Sequence, residues 1–275
     1  MSPTIASALQ DAAAMLAPHF ERPRLESEIL LCFVLGVPRT FLHAHDDMRL
    51  DSQSLQRFGA LVARRKENEP IEYLTQRVSF YNHTFYIAQG ALIPRPESEL
   101  LVDAVADLIR AHSIEHVVEV GVGSGALLCS LALLFPAVRF EGGDVSEQAL
   151  AIARKNLARF GLDSRVPLRH CAFLCGFAPP IMLAYANLPY IAEGYPLESP
   201  LAFEPREALF GGSRGDEILL AFLEEARAKN VRFVACEMGH DQKPSMESAL
   251  KRLCARNVRF YRDYAGHWRG FVAEF

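Results

Sequence analysis

The sequence has no uncharged apolar run approaching the roughly 18 residues that a membrane span requires, and no basic-then-apolar leader begins it. It also lacks an excess of positive charge, because 29 Lys and Arg stand against 33 Asp and Glu, for a net charge of −4. This balance argues against broad adhesion to nucleic acid or anionic membranes, although it is compatible with a local basic patch. We therefore expect a cytoplasmic, monomeric protein with no membrane association and no stable nucleic-acid binding.

Paired cysteines are also absent. The six cysteines form no CxxC pair, so they fit small buried hydrophobic residues better than a disulfide framework or a zinc site. The segment HAHDD at residues 43–47 offers imidazole and carboxylate groups, but no further ligands stand near it in a defined frame. We interpret this segment as a solvated loop and expect no metal site.

The first part of the chain has a helical pattern. The whole sequence of 275 residues is 50% hydrophobic, which is enough for one large domain and a smaller one. Ser2 and Pro3 are expected to open a first helix, Pro23 a second and Asp51 a third. We predict a small helical bundle over residues 1–75, with substrate docking as its functional interpretation.

The pattern then changes to strands. The alternating segment VSFYNHTFYIA predicts a β-hairpin with its turn around Asn82 and His83, in a linker over residues 76–93. From Ile114 onward apolar strands alternate with helices, which predicts an α/β domain with a largely parallel sheet covered on both faces. The predicted strands are HVVEVGV, VRFEGGDV, VPLRHCAF, IMLAYAN, VRFVACEM, VRFYRDYA and GFVAEF.

A glycine-rich loop follows the first of these strands. In EVGVGSGAL, Gly121, Gly123 and Gly125 allow a tight turn and a close approach of the backbone to a ligand. Asp144 ends the next strand, 23 residues after Gly121, where a carboxylate can meet ribose hydroxyls. The two features together predict a ligand that contains adenosine. The loop also fits a dinucleotide template, so the nature of that ligand stays open at this point.

The segment AYANLPYIAE places an amide, a proline and an aromatic ring at the predicted end of a buried strand. Asn187 offers a carbonyl acceptor and an NH2 donor, and Pro189 restrains Leu188 to an extended backbone that helps to aim the Leu188 carbonyl. Tyr190 adds a flat face. Two acceptors and a ring form a clamp for a planar NH2 group, either a side-chain amide or the exocyclic amine of a base. Such a clamp can orient a weak nucleophile toward a methyl donor.

These motifs resemble the class I S-adenosylmethionine-dependent methyltransferases, and within them the release-factor glutamine methyltransferases called PrmC or HemK. The resemblance covers essentially the whole chain and rests on FYNHTFYIAQGALIPRPESELLVD, VEVGVGSG, NLPY, FEPREALFGGSRG and RDYAGHWRG. It implies a Rossmann-like methyltransferase sheet over residues 94–275, with the helical bundle joined to it by the hairpin. It also implies S-adenosylmethionine as the donor and peptide-chain release factors as the protein substrate.

The resemblance assigns roles to individual residues. It implies that Asn187, Leu188, Pro189 and Tyr190 bind the glutamine amide of a Gly-Gly-Gln loop, with catalysis assigned to Asn187, Pro189 and Tyr190. Glu119 matches an acidic position close to the amino-acid part of the donor. The residues expected to bind the donor are Glu119, Gly121, Val122, Gly123, Ser124, Gly125, Asp144, Val145, Phe173 and Asn187.

Two positions depart from the family pattern. Leu188 stands where the family usually has proline, and the resulting NLPY also occurs in RNA adenine dimethyltransferases. Ala172 stands where the family usually has an aspartate near the adenine, and Phe173 matches the aromatic residue that packs on the adenine. The alternatives are therefore a nucleic-acid adenine methyltransferase and a ribosomal-protein glutamine methyltransferase of the PrmB kind. A nicotinamide-dependent oxidoreductase would explain only the glycine loop and Asp144.

Overall fold

The computed structural model describes residues 2–197 and 199–275 and divides the chain into two compact units. One unit comprises the chain up to Arg77 together with a short segment before Glu204. The other comprises Val78–Leu197 and Glu204–Phe275. Within the described residues, no helix has both the length and the apolar character needed to cross a bilayer.

The first unit is a bundle of short helices around an apolar core. Its helices are α1 (Ile5–Leu16), α2 (Pro23–Leu35), α3 (Arg39–Ala44), α4 (Ser52–Lys66) and α5 (Ile71–Thr75). Leu9, Leu30 and Phe58 contribute to that core from three different helices, and each is almost completely buried. The predicted starts of α2 at Pro23 and of α4 after Asp51 are confirmed.

The predicted start of the first helix at Ser2 and Pro3 is wrong, because Thr4 is the residue that caps it. The Thr4 hydroxyl accepts a hydrogen bond from the Ser7 amide at 3.2 Å, and the Ser7 hydroxyl accepts one from the Thr4 amide at 2.9 Å. This reciprocal capping box satisfies two backbone donors that the first turn of a helix leaves without partners. The short helices α3 and α5 were not predicted. Each begins after a proline and has no side-chain cap.

The hairpin consists of β1 (Arg77–Phe80) and β2 (His83–Tyr86). Its turn lies one residue earlier than predicted, at Tyr81 and Asn82, which have φ values of 45° and 62°. Two consecutive positive φ values are typical of the tight turn that matches the right-handed twist of paired strands. Tyrosine rarely adopts this conformation, so the sequence pattern pointed to the following pair instead.

The remaining strands form one sheet of seven, in the order β5-β4-β3-β6-β7-β9-β8. They are β3 (His116–Val120), β4 (Arg139–Asp144), β5 (Leu168–His170), β6 (Leu183–Ala186), β7 (Phe233–Glu237), β8 (Arg256–Arg262) and β9 (Trp268–Glu274). The helices of this unit are α6 (Glu99–His112), α7 (Ala126–Leu134), α8 (Glu147–Arg159), α9 (Glu217–Ala228) and α10 (Lys243–Arg252). Strand β9 runs antiparallel to both of its neighbours, β7 and β8, and the other strand pairs of the described sheet are parallel. The predicted α/β class with a largely parallel sheet is confirmed.

The strand order places the site. The central strand β3 pairs in parallel with β4 on one side and with β6 on the other. The chain therefore changes direction across the sheet at β3, and the carboxyl ends of all three strands meet at one edge. Ligands of open parallel sheets bind at such a switch point. Gly121, Asp144 and Asn187 each stand at this edge.

Gly142 of β4 allows the sheet to pack closely against the glycine-rich loop and α7. A Cβ on Gly142 would lie 2.5 Å from Val122 Cγ2 and 2.8 Å from Leu128 Cδ2. We expect Gly142→Ala to lower the free energy of unfolding by about 1–3 kcal/mol, because the added methyl group overpacks the core. Urea unfolding measures the change.

The control for this prediction is Gly59→Ala in α4. Among the described residues, no heavy atom lies within 4 Å of a Cβ added at Gly59. This control is expected to raise stability by up to about 1 kcal/mol, since alanine is the better helix former. An unchanged unfolding midpoint for Gly142→Ala would show that the sheet relaxes around the methyl group.

Candidate active site

A cavity of about 270 Å³ opens at the carboxyl ends of β3, β4 and β6. Nine of the ten residues expected to bind the donor line it, and Gly125 is the exception. Asn187, Leu188 and Pro189 line the same cavity, whereas Tyr190 lies outside its lining. The residues brought together from those predictions are Glu119, Gly121, Val122, Gly123, Ser124, Asp144, Val145, Phe173, Asn187, Leu188 and Pro189.

The glycine-rich loop gives the cavity a backbone wall. Gly123 has a φ of 54°, and a Cβ there would meet no heavy atom of the described residues within 4 Å. Its position is therefore open to a ligand, and the backbone conformation disfavours any side chain. Gly125 has a different role, because its Cβ would lie 3.1 Å from that of Ala153 in α8. It allows α7 and α8 to pack closely, which explains why it does not line the cavity.

Asp144 ties this loop to the next one. Its Oδ2 accepts a hydrogen bond from the Gly123 amide, and its Oδ1 accepts one from the Ser146 amide, both at 2.8 Å. Burial raises the pKa of this carboxyl, and the backbone hydrogen bonds act in the opposite direction. A carboxylate has about four acceptor positions, so Asp144 keeps capacity to accept from hydroxyl groups in the cavity. This fits the ribose of an adenosine-containing ligand.

Glu119 is the most deeply buried acidic group of the cavity wall. It is 1% exposed, and its Oε2 accepts a hydrogen bond from the Tyr185 hydroxyl of β6 at 2.9 Å. Burial raises its pKa well above the ordinary value for a glutamate. A cationic group in the cavity would offset this cost, because a nearby positive charge favours the ionised carboxyl.

Part of the cavity lining is apolar. Val145 is 59% exposed there, and the half-buried ring of Phe173 lies 6.3 Å from the ring of Phe222. Ala172 also lines the cavity, so the departure from the family pattern falls at the wall itself. An aromatic and an aliphatic side chain at this wall suit the flat face of a base.

The Asn187 side chain is held by a chain of hydrogen bonds. Its Nδ2 donates to the Ser98 hydroxyl at 2.9 Å, and that hydroxyl donates to Oε2 of Glu237 at 2.6 Å. The Tyr190 hydroxyl donates to Oε1 of the same carboxylate at 3.2 Å. Tyr190 is therefore anchored through its hydroxyl beside the cavity. Sequence reasoning missed both Ser98 and Glu237.

The backbone after Asn187 rests on the glycines of FEPREALFGGSRG. A Cβ on Gly211 would lie 2.3 Å from the Pro189 carbonyl oxygen, and one on Gly215 would lie 2.5 Å from that of Tyr190. The Ile191 amide also donates to the Leu209 carbonyl at 2.9 Å. This segment is therefore the rear support of the Asn187–Tyr190 loop, which gives a physical reason for its glycines.

A buried carboxylate holds the IPRPE segment in place. Glu204 is 5% exposed and accepts a hydrogen bond from the Ile93 amide at 2.9 Å as well as an ion pair from Arg95. Pro94 of this segment and Leu92, which lies just before it, line the cavity. Glu204 belongs to FEPREALFGGSRG, so this contact joins two segments whose bonded residues are 111 positions apart in the sequence.

All charged side chains among the described lining residues of the cavity are acidic. Glu119, Asp144 and Glu207 line it, and none of its described lining residues is Lys or Arg. A pyrophosphate group would find no cationic side chain there, whereas a positively charged ligand would find three acidic side chains. Among the residues that the structure describes, no group of three or more His, Cys, Asp or Glu could hold a metal ion.

Comparison with known proteins identifies the family. Residues 7–75 match the model of the PrmC N-terminal domain. The release factor glutamine methyltransferase of Moorella thermoacetica is 34% identical over 278 residues, which cover 98% of each chain. The chain belongs to the release factor glutamine methyltransferase family. The corresponding enzyme of Vibrio cholerae is 30% identical over 100% of this chain and 98% of its own, and the resemblance inferred from the motifs is confirmed.

Solved structures support the methyltransferase fold of this family member. The hMettl16 catalytic domain in complex with a MAT2A 3'UTR hairpin has a TM-score of 0.58 and 15% identity, covering 82% of both chains. The ribosomal protein L11 methylase from Lactobacillus delbrueckii has a TM-score of 0.51 and 19% identity, covering 68% of this chain and 83% of its own. At these identities the similarity establishes the fold alone. The predicted Rossmann-like methyltransferase sheet is confirmed.

Proposed function

We propose that this protein transfers a methyl group from S-adenosylmethionine to the glutamine side-chain nitrogen in the Gly-Gly-Gln motif of peptide-chain release factors, in the cytoplasm. Its relatives carry the name release factor glutamine methyltransferase over nearly the full chain. The observation that carries the proposal is that Asn187 lines the same cavity as Gly123 and Asp144. The group that would orient the nucleophile and the groups that would hold the donor therefore face one space.

The charge and the lining of the cavity support S-adenosylmethionine as its ligand. Asp144 would accept hydrogen bonds from the ribose hydroxyls, and the backbone of Gly121 and Gly123 would lie against the donor. Glu119 would face its amino-acid part, and Phe173 its adenine. When bound, the donor supplies an electrophilic methyl group on a positively charged sulfur. The three carboxylates and the absence of Lys and Arg from the described lining suit this cation.

The loop after β6 would bind the acceptor. An amide nitrogen is a weak nucleophile because its lone pair is delocalised into the carbonyl group. The Asn187 Oδ1 and the Leu188 carbonyl would each accept a hydrogen bond from one of the two N–H groups of the glutamine side chain. The lone pair of that nitrogen would then point at the methyl carbon. Replacement of the usual proline by Leu188 preserves this carbonyl. The Leu188 side chain is 7% exposed and packs toward Gly121, away from solvent.

The helical bundle of residues 1–75 would dock the release factor. This assignment follows the match of residues 7–75 to the PrmC N-terminal domain. Its exposed basic and acidic side chains offer a surface for a folded protein partner. The remainder of the chain, residues 94–275, would carry the methyl transfer, with residues 76–93 as the hairpin linker.

The second candidate function is methylation of the adenine amine in a nucleic acid, because Leu188 gives the chain the NLPY form of the acceptor loop. An exocyclic adenine amine presents the same planar NH2 group. The net charge of −4 offers little for a phosphate backbone, whose neutralisation supplies much of nucleic-acid affinity. We therefore favour the glutamine amide.

The direct test is incubation with methyl-labelled S-adenosylmethionine and purified release factor. Peptide mass spectrometry should locate one methyl group on the glutamine of the Gly-Gly-Gln motif. Ribosomal RNA, DNA and ribosomal proteins are incubated in parallel as competing acceptors. If a nucleic acid is labelled and the release factor is not, the protein is instead an adenine methyltransferase. Labelling of a ribosomal protein alone would transfer the assignment to the ribosomal-protein alternative.

Asp144→Ala tests the donor site. The substitution removes the acceptor for the ribose hydroxyls and leaves the amides of Gly123 and Ser146 without their partner. We expect a loss of about 3 kcal/mol in donor affinity, or about 100-fold in Kd. Isothermal titration calorimetry with S-adenosylmethionine and, separately, NAD measures both affinities. Asp144→Asn keeps one acceptor oxygen and should lie between the two. Unchanged donor binding, or tighter binding of NAD, would remove this assignment.

A further inference from the structure

Ser98 occupies the N-cap position of α6, but its side chain does not cap the helix. It is the residue before the first residue of α6 and makes no side-chain capping hydrogen bond. The residue is 1% exposed, and its hydroxyl instead connects Glu237 to Asn187. The conformation of this buried hydroxyl is therefore set by these two partners.

The chemistry of the three groups determines the direction of each hydrogen bond. A carboxylate only accepts, so the single hydrogen of the Ser98 hydroxyl goes to Oε2 of Glu237. The Ser98 oxygen then has lone pairs alone to offer its other partner. Only the NH2 side of the Asn187 amide can donate to it, which fixes which end of the amide faces Ser98.

Glu237 accepts a hydrogen bond at each of its two carboxyl oxygens, from Ser98 and from Tyr190. Burial, at 2% exposure, is the largest influence on its pKa and raises it. The two hydrogen bonds and the charge of Arg269 act in the opposite direction and favour the ionised carboxyl. The carboxylate belongs to the end of β7. One buried group thus contacts both ends of the Asn187–Tyr190 loop, directly at Tyr190 and through Ser98 at Asn187.

The oxygen of Asn187 is the part left for the cavity. Among the described residues, none donates a hydrogen bond to Oδ1, whereas Nδ2 is engaged by Ser98. If the amide were flipped, its NH2 group would meet an incoming NH2 group, and donor would face donor. The chain from Glu237 through Ser98 disfavours that state, because the flipped amide would leave the Ser98 oxygen without a donor.

We propose that Ser98 and Glu237 are positioning residues that lock the Asn187 amide with Oδ1 as the acceptor for the substrate N–H. This inference rests on the proposed methylation of a glutamine amide. It extends the site to Ser98, which precedes α6 and lines the cavity, and to Glu237 at the end of β7. Their contribution is to hold a single amide orientation before the substrate arrives.

The test compares Ser98→Ala with Ser98→Thr. Ser98→Ala should lower kcat on the release factor about 100-fold, with the KM for S-adenosylmethionine within about threefold of the parent, because the effect falls on orientation. Ser98→Thr keeps the hydroxyl and should restore most of the turnover. Ser130→Ala is the matched control, since it also removes a buried serine hydroxyl, one that donates within α7 to the Ala126 carbonyl at 2.7 Å. It should leave kcat unchanged.

A second readout does not depend on the substrate. The side-chain amide signal of Asn187 in the ¹⁵N-labelled protein is assigned by its loss in Asn187→Ala. In Ser98→Ala the hydrogen exchange of this amide should accelerate, and in Ser98→Thr it should remain slow. If the parent protein methylates no release factor, the proposed function fails, and this signal alone decides the orientation. A folded Ser98→Ala with unchanged kcat, or with an unchanged Asn187 signal, would overturn the inference.

Discussion

Asn187→Ala is expected to lower the turnover of the release factor by about 10³-fold while the protein stays folded and binds S-adenosylmethionine normally. The substitution removes the acceptor that orients the nucleophile, an effect that appears mainly in the transition state. Asn187 is half-buried after the end of β6, and its side chain contributes one hydrogen bond, to Ser98. The fold therefore loses little.

Single-turnover labelling measures the rate, calorimetry the donor affinity and circular dichroism the fold. Asn257→Ala is the control, because Asn257 is an exposed asparagine whose Nδ2 bonds Glu274 at 2.9 Å in the β8–β9 pair. Its rate should equal that of the parent protein. A folded Asn187→Ala with near-normal turnover would reduce Asn187 to a turn residue and remove it from the site.

Replacing the glutamine of the Gly-Gly-Gln motif in the release factor should abolish labelling completely. No other group in that loop presents a planar NH2 to the two acceptors after β6. A bulky residue in place of either neighbouring glycine should also abolish labelling, because the glycines let the loop enter a narrow site without side-chain clashes. The label is counted after separation of the intact release factor.

The release-factor variants must be shown to be folded, and a glutamine replaced elsewhere on their surface serves as the matched control. That control should be labelled like the natural factor. Label that persists on a factor without the motif glutamine would locate the acceptor elsewhere on that protein. Such a result would leave the donor site intact and contradict only the substrate assignment.

The meeting of the glycine-rich loop and Asp144 at one cavity could be predicted from the sequence because its signals are local. A glycine-rich turn directly after an apolar strand, and an acidic residue at the end of the next strand, must meet when the two strands are parallel neighbours. The glycine-rich turn does meet the end of β4 in this way, because the Gly123 amide donates a hydrogen bond to Asp144. Asn187 could be placed at the same edge for the same reason, since it follows β6.

The supporting residues could not be predicted in this way. Ser98 and Glu237 are 139 positions apart, and each has an ordinary local reading, as a helix cap and as a residue at a strand end. Their pairing depends on how α6 packs beside β7, which no short-range pattern encodes. The exact boundaries of α1 and of the hairpin turn could not be predicted either. Both elements were predicted, but the hydrogen bonds of Thr4 and the positive φ of Tyr81 place these boundaries one or two residues away.

The rear support of the Asn187–Tyr190 loop determines which partner has to change shape on binding. The carbonyls of Pro189 and Tyr190 lie against Gly211 and Gly215, and the gap has no space for a methyl group. The Asn187–Tyr190 loop therefore has no room to move away from a substrate segment that binds in front of it. Glu237 holds it from the side of the sheet as well. Accommodation must then come from the acceptor protein, which has to present its target amide on a deformable segment. Under the proposed function, selectivity would then depend on the flexibility of the substrate backbone as much as on its sequence. A glutamine held in a rigid helix or strand would not be methylated, although its side chain is the same.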